Sequence, residues 1–216
     1  MKKLIYNKVD KTMLLHLKRV EFYGRITVVN TTAEAERAVD YLLSQPILGF
    51  DTETRPAFEK GKHYRCALLQ VATLTDCILF RLNRIGLCPA VMRLLADETV
   101  TKVGLAWNND MLSLRQLGAF KAGRFIDLQQ MVLELGIEDQ SLVKIYANLF
   151  SERISKSERL SNWERSELKM SQMVYAAIDA WACVRIYNEV KRLQATGDYE
   201  LVIQPDNETK DETNLS

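Results

Sequence analysis

The sequence predicts an α/β protein, a mixed β-sheet flanked by α-helices, and three observations carry that reading. Apolar runs of strand length crowd into the first half, helical periodicity fills most of the second, and strand and helix alternate where the halves meet. In chain order, Ile26-Thr27-Val28-Val29 is a short β-branched run, and Thr31-Thr32-Ala33-Glu34 supplies hydroxyls that can cap a helix reaching about Ser44. Ile47-Leu48-Gly49-Phe50-Asp51, then Ala67 to Ala72, then Cys77 to Phe80 are three apolar runs parted by polar or glycine-bearing segments, the pattern of a meander. A helix is expected over about Pro89 to Ala96. Next, Thr101 to Leu105 reads as a strand entering a helix at about Asn108, which stops near Gly118. Arg124-Phe125-Ile126-Asp127 is a last, weak strand. From Leu128 to Leu193 the pattern is helical, with breaks near Gly136 and in the segment 151–162. No internal repeat is found, and in such a layered sheet ligands are expected at strand ends.

With 216 residues, the chain has room for one sizeable domain with appendages. Its 47% hydrophobic and 26% charged residues sit at the globular average and exclude collagen-like, disordered and disulfide-scaffold readings for the bulk of the chain. A net charge of +1 removes any argument from global basicity, so contact with a polyanion must be local. The four cysteines, Cys66, Cys77, Cys88 and Cys183, form no CxxC pair, and His16 and His63 are too few for a zinc or haem site. Reduced thiols in a cytoplasm are expected. After Met1-Lys2-Lys3 no apolar region of signal-peptide length develops, and no run reaches the ~20 residues of a membrane span.

The ends are oppositely charged. Residues 1–25 hold Lys2, Lys3, Lys8, Lys11, Lys18, Arg19 and Arg25 against Asp10 and Glu21, a balance of +5. From Asp198 onward six acids face Lys210 alone, a balance of −5, and beyond about Pro205 apolar residues almost vanish. The expected division is therefore a basic N-terminal segment over 1–25, a domain over 26–197 and an acidic, disordered tail over 198–216. The basic segment reads equally as a docking arm or as a cover for the sheet.

Three places carry acids where burial makes them costly. Asp51 and Glu53 stand two apart at the end of an apolar strand, so the period of two aims both carboxylates at one face. Asp110 enters the first turn of a helix, where the helix dipole favours an acid and capping by Asn108, Asn109 or Asp110 is the plain explanation. Tyr175 and Asp179, four apart, share one face of a helix made of small and apolar residues such as Ala176, Ala177, Ala180 and Ala182. An unpaired carboxylate buried there is penalised by several kcal/mol unless a cation joins it. Asp51, Glu53, Asp110 and Asp179 together are hard oxygen donors in about the number that holds two divalent cations ~3.5–4 Å apart for phosphodiester cleavage.

In order and flanking residues these motifs resemble the DEDD superfamily of 3′–5′ exonucleases, in its tyrosine-bearing branch, which includes ribonuclease D and the exonuclease domain of the Werner-syndrome helicase. Phe50-Asp51-Thr52-Glu53-Thr54 is similar to the first exonuclease motif, Val103-Gly104 through Asp110 to the second, and Gln172 through Asp179 to the third. Ala67 to Ala72 resembles the strand after the first motif, while Ser155-Lys156 and Ser161-Asn162-Trp163 resemble the lysine and tryptophan of the linker. The likeness runs from about Ile26 to Tyr187. It implies a ribonuclease-H-like fold and a nuclease that releases nucleoside 5′-monophosphates from nucleic-acid 3′ ends, DNA or RNA, with two Mg²⁺ or Mn²⁺ ions. By the same resemblance Asp51 bridges both metals, Glu53 and Asp179 complete the first site, and Asp110 binds the second. The first metal lowers the pKa of a water and the second stabilises the leaving 3′ oxygen. Tyr175, with an ordinary pKa near 10, is cast as an orienter of that water, hydrogen-bonded to it and to Glu53, and not as a strong base.

The resemblance also makes Thr54 a candidate contact for the terminal nucleotide and Phe58 a candidate stacking partner for a base, against the alternatives of an ordinary loop threonine and a core phenylalanine. Arg55, Lys60, Lys62 and Arg65 form one basic cluster, and Lys156, Arg159 and Arg165 a second, interleaved with Glu152, Glu158, Glu164 and Glu167. Trp163 is expected as a packing anchor. Two departures from the family pattern stand out: Asn108-Asn109 precede Asp110 where relatives often carry a charged residue, and Ser166-Glu167-Leu168 replaces an Arg-Pro-Leu segment of ribonuclease D. No helicase motor or further helical RNA-binding domain is expected within this length. The competing reading is a catalytically silent nucleic-acid-binding or scaffold module of the same fold, whose signature would be loss of a ligand.

Overall fold

The computed structural model describes residues 2–205. Its centre is a six-stranded mixed sheet. In chain order the strands are β1 (Lys3–Tyr6), β2 (Lys18–Arg19), β3 (Arg25–Val29), β4 (Ile47–Thr54), β5 (Cys66–Ala72), β6 (Asp76–Phe80), β7 (Thr101–Gly104), β8 (Phe125–Asp127), β9 (Glu152–Arg153) and β10 (Tyr199–Val202). The helices are α1 (Lys11–Leu15), α2 (Thr32–Leu43), α3 (Leu82–Ile85), α4 (Pro89–Ala96), α5 (Trp107–Arg115), α6 (Leu128–Leu133), α7 (Leu142–Phe150) and α8 (Met170–Thr196). The central sheet runs β3-β6-β5-β4-β7-β8. β4, β5 and β6 form the expected antiparallel meander, and β7 and β8 extend it in parallel beyond β4.

Local chemistry explains the element ends. Thr31 caps α2 through a reciprocal box: its hydroxyl accepts from the Glu34 amide at 3.2 Å while the Glu34 carboxylate accepts from the Thr31 amide at 3.0 Å. Pro89 opens α4 at a position where no amide donor is needed. One face of the sheet packs on α2, α4 and α5 through residues such as Val39, Leu42, Phe50 and Leu94. Its other face is crossed by the 27-residue α8, which buries Ala176, Ala177 and Ala180 against Leu68, Ala72 and Leu79. The four cysteines are free and buried. Among the described residues no helix is long and apolar enough to cross a membrane.

Two boundaries of the expected division need correction. The segment 1–25 is not set apart from the domain: β1 pairs in parallel with β10, β2 pairs with β9, and Ile5, Val9 and Val20 are buried. The acidic end likewise begins with an ordered strand, since β10 lies within the stretch expected to be disordered. Both pairings are four residues or fewer between segments distant in sequence, so no local periodicity announces them; Ile5 with Tyr199 and Leu201 anchors the first in the cluster around α7 and α8, and Val20 and Ile154, which follow β2 and β9, join the same cluster. The remainder of the expected tail, 206–216, lies outside the described residues. β4 itself runs three residues past Asp51 and carries Glu53 and Thr54, in line with the strand alternation expected of the two acids.

Candidate active site

The alternation of β4 sorts its side chains. Phe50 turns toward α5, packing edge-on to Trp107 and Phe125 at 5.5 and 5.7 Å between ring centroids. Asp51 and Glu53 turn the other way, toward α8, together with Gly49. A Cβ on Gly49 would lie 2.0 Å from the carbonyl oxygen of Ala180. Only glycine therefore lets α8 cross the strand this closely, and Asp179, the residue before Ala180, is brought over Asp51. Asp51, Glu53 and Asp179 each place a carboxylate oxygen within 4.8 Å of those of the other two. The face shared by Asp51 and Glu53 and its convergence with Asp179 follow the sequence reading.

Such a group is electrostatically unfavourable by itself. Burial, and after it the charges of Asp179, Asp110 and Glu53, hold the Asp51 carboxyl well above the usual carboxylate range. Burial followed by the charges of Asp179 and Asp110 pushes Glu53 up to about 9. Asp179, 6% exposed, is raised by burial to about 7. Tyr175 lies one helical turn before it, and its hydroxyl pairs with the Asp179 carboxylate, which draws Asp179 back down and, after burial, helps keep the phenol protonated. The helix spacing of four places the Tyr175 hydroxyl and the Asp179 carboxylate on one face, and the Glu53 charge also acts on the phenol.

Asp110 stands apart from the trio. It lies in the first turn of α5, and one of its oxygens accepts a hydrogen bond from the Thr52 hydroxyl, on the opposite side of β4 from Asp51. Burial raises it to about 6, against the lowering effect of that hydrogen bond. The capping role expected of Asn108, Asn109 or Asp110 is taken instead by Asp127, whose carboxylate accepts from the amides of Ala106 and Trp107 at 3.1 and 3.2 Å. Ala106 itself takes a left-handed backbone, φ 52°, to start the helix. Asp110 is thus free of a capping duty and its charge still reaches Asp51 and Glu53.

A cleft of about 190 Å³ opens over Asp51 and Asp179, lined also by Tyr175, by Lys156 and Arg159, and by apolar Leu142, Val143 and Ile154. Lys156 and Arg159 are where a phosphate backbone would need cations. Thr54 follows Glu53 at a register shift of β4 against β5. Arg55 pairs with Glu164 at 3.5 Å and sits over the Tyr64 ring at 4.6 Å. Phe58 is 81% exposed, which removes the core-phenylalanine alternative, and with Arg55, Tyr64 and Leu160 it lines a second cleft. Trp163 is fully buried 6.0 Å from the Tyr175 ring, a packing anchor as expected. Sequence reasoning missed Thr52, Asp127, Tyr64 and Cys183, whose thiol donates toward the Asp179 carbonyl at 3.4 Å. Their roles depend on pairings that spacing does not encode.

A family model described as 3'-5' exonuclease matches residues 26–194. The chain belongs to the 3'-5' exonuclease family. Exonuclease 3'-5' domain-containing protein 2 of Drosophila melanogaster is 30% identical over 198 residues, covering 83% of this chain and 33% of that protein. The bifunctional 3'-5' exonuclease/ATP-dependent helicase WRN of Mus musculus is 29% identical over 156 residues, covering 69% of this chain and 11% of that protein. The chain thus spans about a third and about a tenth of these relatives' lengths. Among solved structures, RNase D of Escherichia coli superposes with a TM-score of 0.70 at 19% identity, covering 80% of this chain and 46% of that one. The fold is accordingly ribonuclease-H-like, and the DEDD superfamily resemblance read from the motifs stands.

Proposed function

We propose that the chain is an active member of the tyrosine-bearing branch, a 3′–5′ exonuclease that hydrolyses the terminal phosphodiester of a DNA or RNA strand and releases nucleoside 5′-monophosphates. The observation that carries this reading is the convergence of Asp51 and Glu53, both partly exposed, with the buried Asp179, three mutually repelling carboxylates held together by the close crossing at Gly49. Hard oxygen donors whose protons are held on by repulsion suit divalent cations, Mg²⁺ or Mn²⁺, which neutralise what the protein has crowded together. Asp51, Glu53 and Asp179 would hold one such ion, and Asp51 with Asp110 a second. Divalent cations bound there supply an activated water and charge to stabilise the leaving oxygen.

The chain's own residues do the rest. Tyr175, kept protonated, donates and accepts hydrogen bonds that fix the attacking water without needing to ionise. Lys156 and Arg159 hold backbone phosphates at the cleft, and Leu142, Val143 and Ile154 exclude water from one wall. Thr54 contacts the terminal nucleotide, and Arg55 and Phe58 guide the strand beyond it. Buried, unpaired thiols are in keeping with a reducing, cytoplasmic setting. The silent-module reading predicts loss of a ligand, and all five residues of the motif are present.

The test is product analysis with matched DNA and RNA single strands in Mg²⁺, Mn²⁺ or EDTA. Stepwise release of nucleoside 5′-monophosphates, abolished by EDTA, is expected. Absence of product from folded protein on single strands and on recessed-end duplexes would favour the silent module.

A further inference from the structure

Gln70 occupies the middle of β5, a strand whose seven residues are all buried. Its side chain is 0% exposed, yet neither its amide nitrogen nor its amide oxygen has a hydrogen-bond partner among the described residues. An amide carries two N–H donors and an acceptor, and removing all of them from water without replacement is costly. The indole nitrogens of Trp107 and Trp163 are also without partners, but at Gln70 a whole amide is left unmet, and such groups are rare in native interiors.

The register of the sheet says where that completion lies. Gln70 stands directly across the antiparallel ladder from Asp51. Opposed residues on such a ladder project from the same face with Cβ atoms ~4.5–5.5 Å apart. Leu68 and Ala72, which share that face of β5, pack on Ala176, Ala177 and Ala180 of α8, whose side chains offer no polar atom. The backbone of Gln70 is already engaged in the ladders to β4 and β6. The Asp51 carboxylate, which takes a backbone N–H from Thr52, retains lone pairs on the same face.

We propose that Gln70 is a positioning residue for Asp51, its amide nitrogen donating to one carboxylate oxygen so that the other is held toward the cation site. This rests on the reading that Asp51 is a ligand of a divalent cation. Partners of this kind one step behind a ligand typically change metal affinity ~10–100-fold when removed.

The experiment compares wild type with Gln70→Met, which keeps the length and removes both hydrogen-bonding ends. Mn²⁺ is titrated while the melting temperature is followed, with no nucleic acid present. Metal-free Gln70→Met should melt no lower than wild type, because an unmet polar group has gone, while its Mn²⁺ half-saturation rises at least ~10-fold. In digestion assays kcat should fall with KM for the strand unchanged. A Mn²⁺ half-saturation equal to that of wild type would overturn the proposal and leave the amide structural. Gln70→Glu is the second variant: its side chain donates only when protonated, so its activity should decline with rising pH more steeply than that of wild type, and a parallel profile would overturn the proposal even if Gln70→Met failed to fold. If wild type binds Mn²⁺ yet digests nothing, the functional reading fails while the Mn²⁺ comparison still decides the role of Gln70.

Discussion

Removing one charge from the acidic trio should stabilise the metal-free protein, although it destroys the site. The oxygens of Asp51, Glu53 and Asp179 lie within 4.8 Å of one another. At an effective dielectric constant of ~20, two unit charges at that separation repel by about 3.5 kcal/mol. Glu53 is held at about 9 and Asp179 at about 7, above the values they would have in an unfolded chain. For carboxyls raised in this way, the stability they contribute is present at low pH and is lost as pH rises through those folded values. The metal-free wild type should therefore melt progressively lower from about pH 4, where these carboxyls ionise in the unfolded chain, up to about pH 9. In Asp51→Asn the charges on Glu53 and Asp179 no longer face a third. At pH 8 the fold must keep Asp51 protonated although the unfolded chain has ionised it, and Asp51→Asn removes that cost; a gain of roughly 3 kcal/mol, the size of one carboxylate pair's repulsion, is expected. At about 2–4 °C per kcal/mol for a chain of this size, that is an increase of about 6–12 °C in melting temperature. At pH 5 the trio is protonated in both proteins and the difference should shrink to within ~2 °C. Saturating Mn²⁺ at about 100 Kd should raise wild type by about 2.7 kcal/mol and leave Asp51→Asn unmoved. Differential scanning fluorimetry across pH, with EDTA or Mn²⁺, reads all of this. An Asp51→Asn protein that melts at or below wild type at pH 8 would refute the reasoning, because the carboxylates would then be mutually supported and not in conflict.

Tyr175→Phe keeps the ring against Trp163 and removes the hydroxyl; it should lower kcat by about 10²-fold, as expected when the attacking water loses its orienting partner, while the Mn²⁺-induced melting shift persists. Gly49→Ala forces a methyl group onto the Ala180 carbonyl, so it should cost about 2–3 kcal/mol by overpacking and weaken Mn²⁺ binding as α8 moves off β4, both visible in one melting series. Phe58→Ala, at an exposed site, should leave the melting temperature within ~1 °C and raise KM for a single strand, with about 1–3 kcal/mol lost if a base stacks there; steady-state digestion separates this from a change in kcat.

Much of the architecture was legible because it is local. The β-branched run before Thr31, the capping pair Thr31 and Glu34, and Pro89 at the head of α4 each act over a few residues, and their elements formed where expected. The acidic face was legible for the same reason: strand alternation places Asp51 beside Glu53, and an acid among alanines at Asp179 signals a polar duty in a packed helix. What escaped reading depends on register and on distant partners. The β1–β10 and β2–β9 pairings join chain ends through strands too short to show periodicity. Capping of α5 by Asp127 reaches across 20 residues. Thr52 holding Asp110, and Gln70 facing Asp51 across the ladder, require knowing which residue of one strand opposes which of its neighbour.

The central claim, that these carboxylates make a metal-dependent site for removing nucleotides from 3′ ends, is tested most directly by single-turnover digestion of a 5′-labelled single strand, run in parallel with the same strand blocked at its 3′ end. Wild type in Mg²⁺ or Mn²⁺ should shorten the open strand one nucleotide at a time, spare the blocked one, and lose at least ~10³-fold in rate with Asp51→Asn, as expected when a ligand of the reacting centre is removed. Internal cuts in the blocked strand, or a wild-type rate retained by Asp51→Asn, would contradict it.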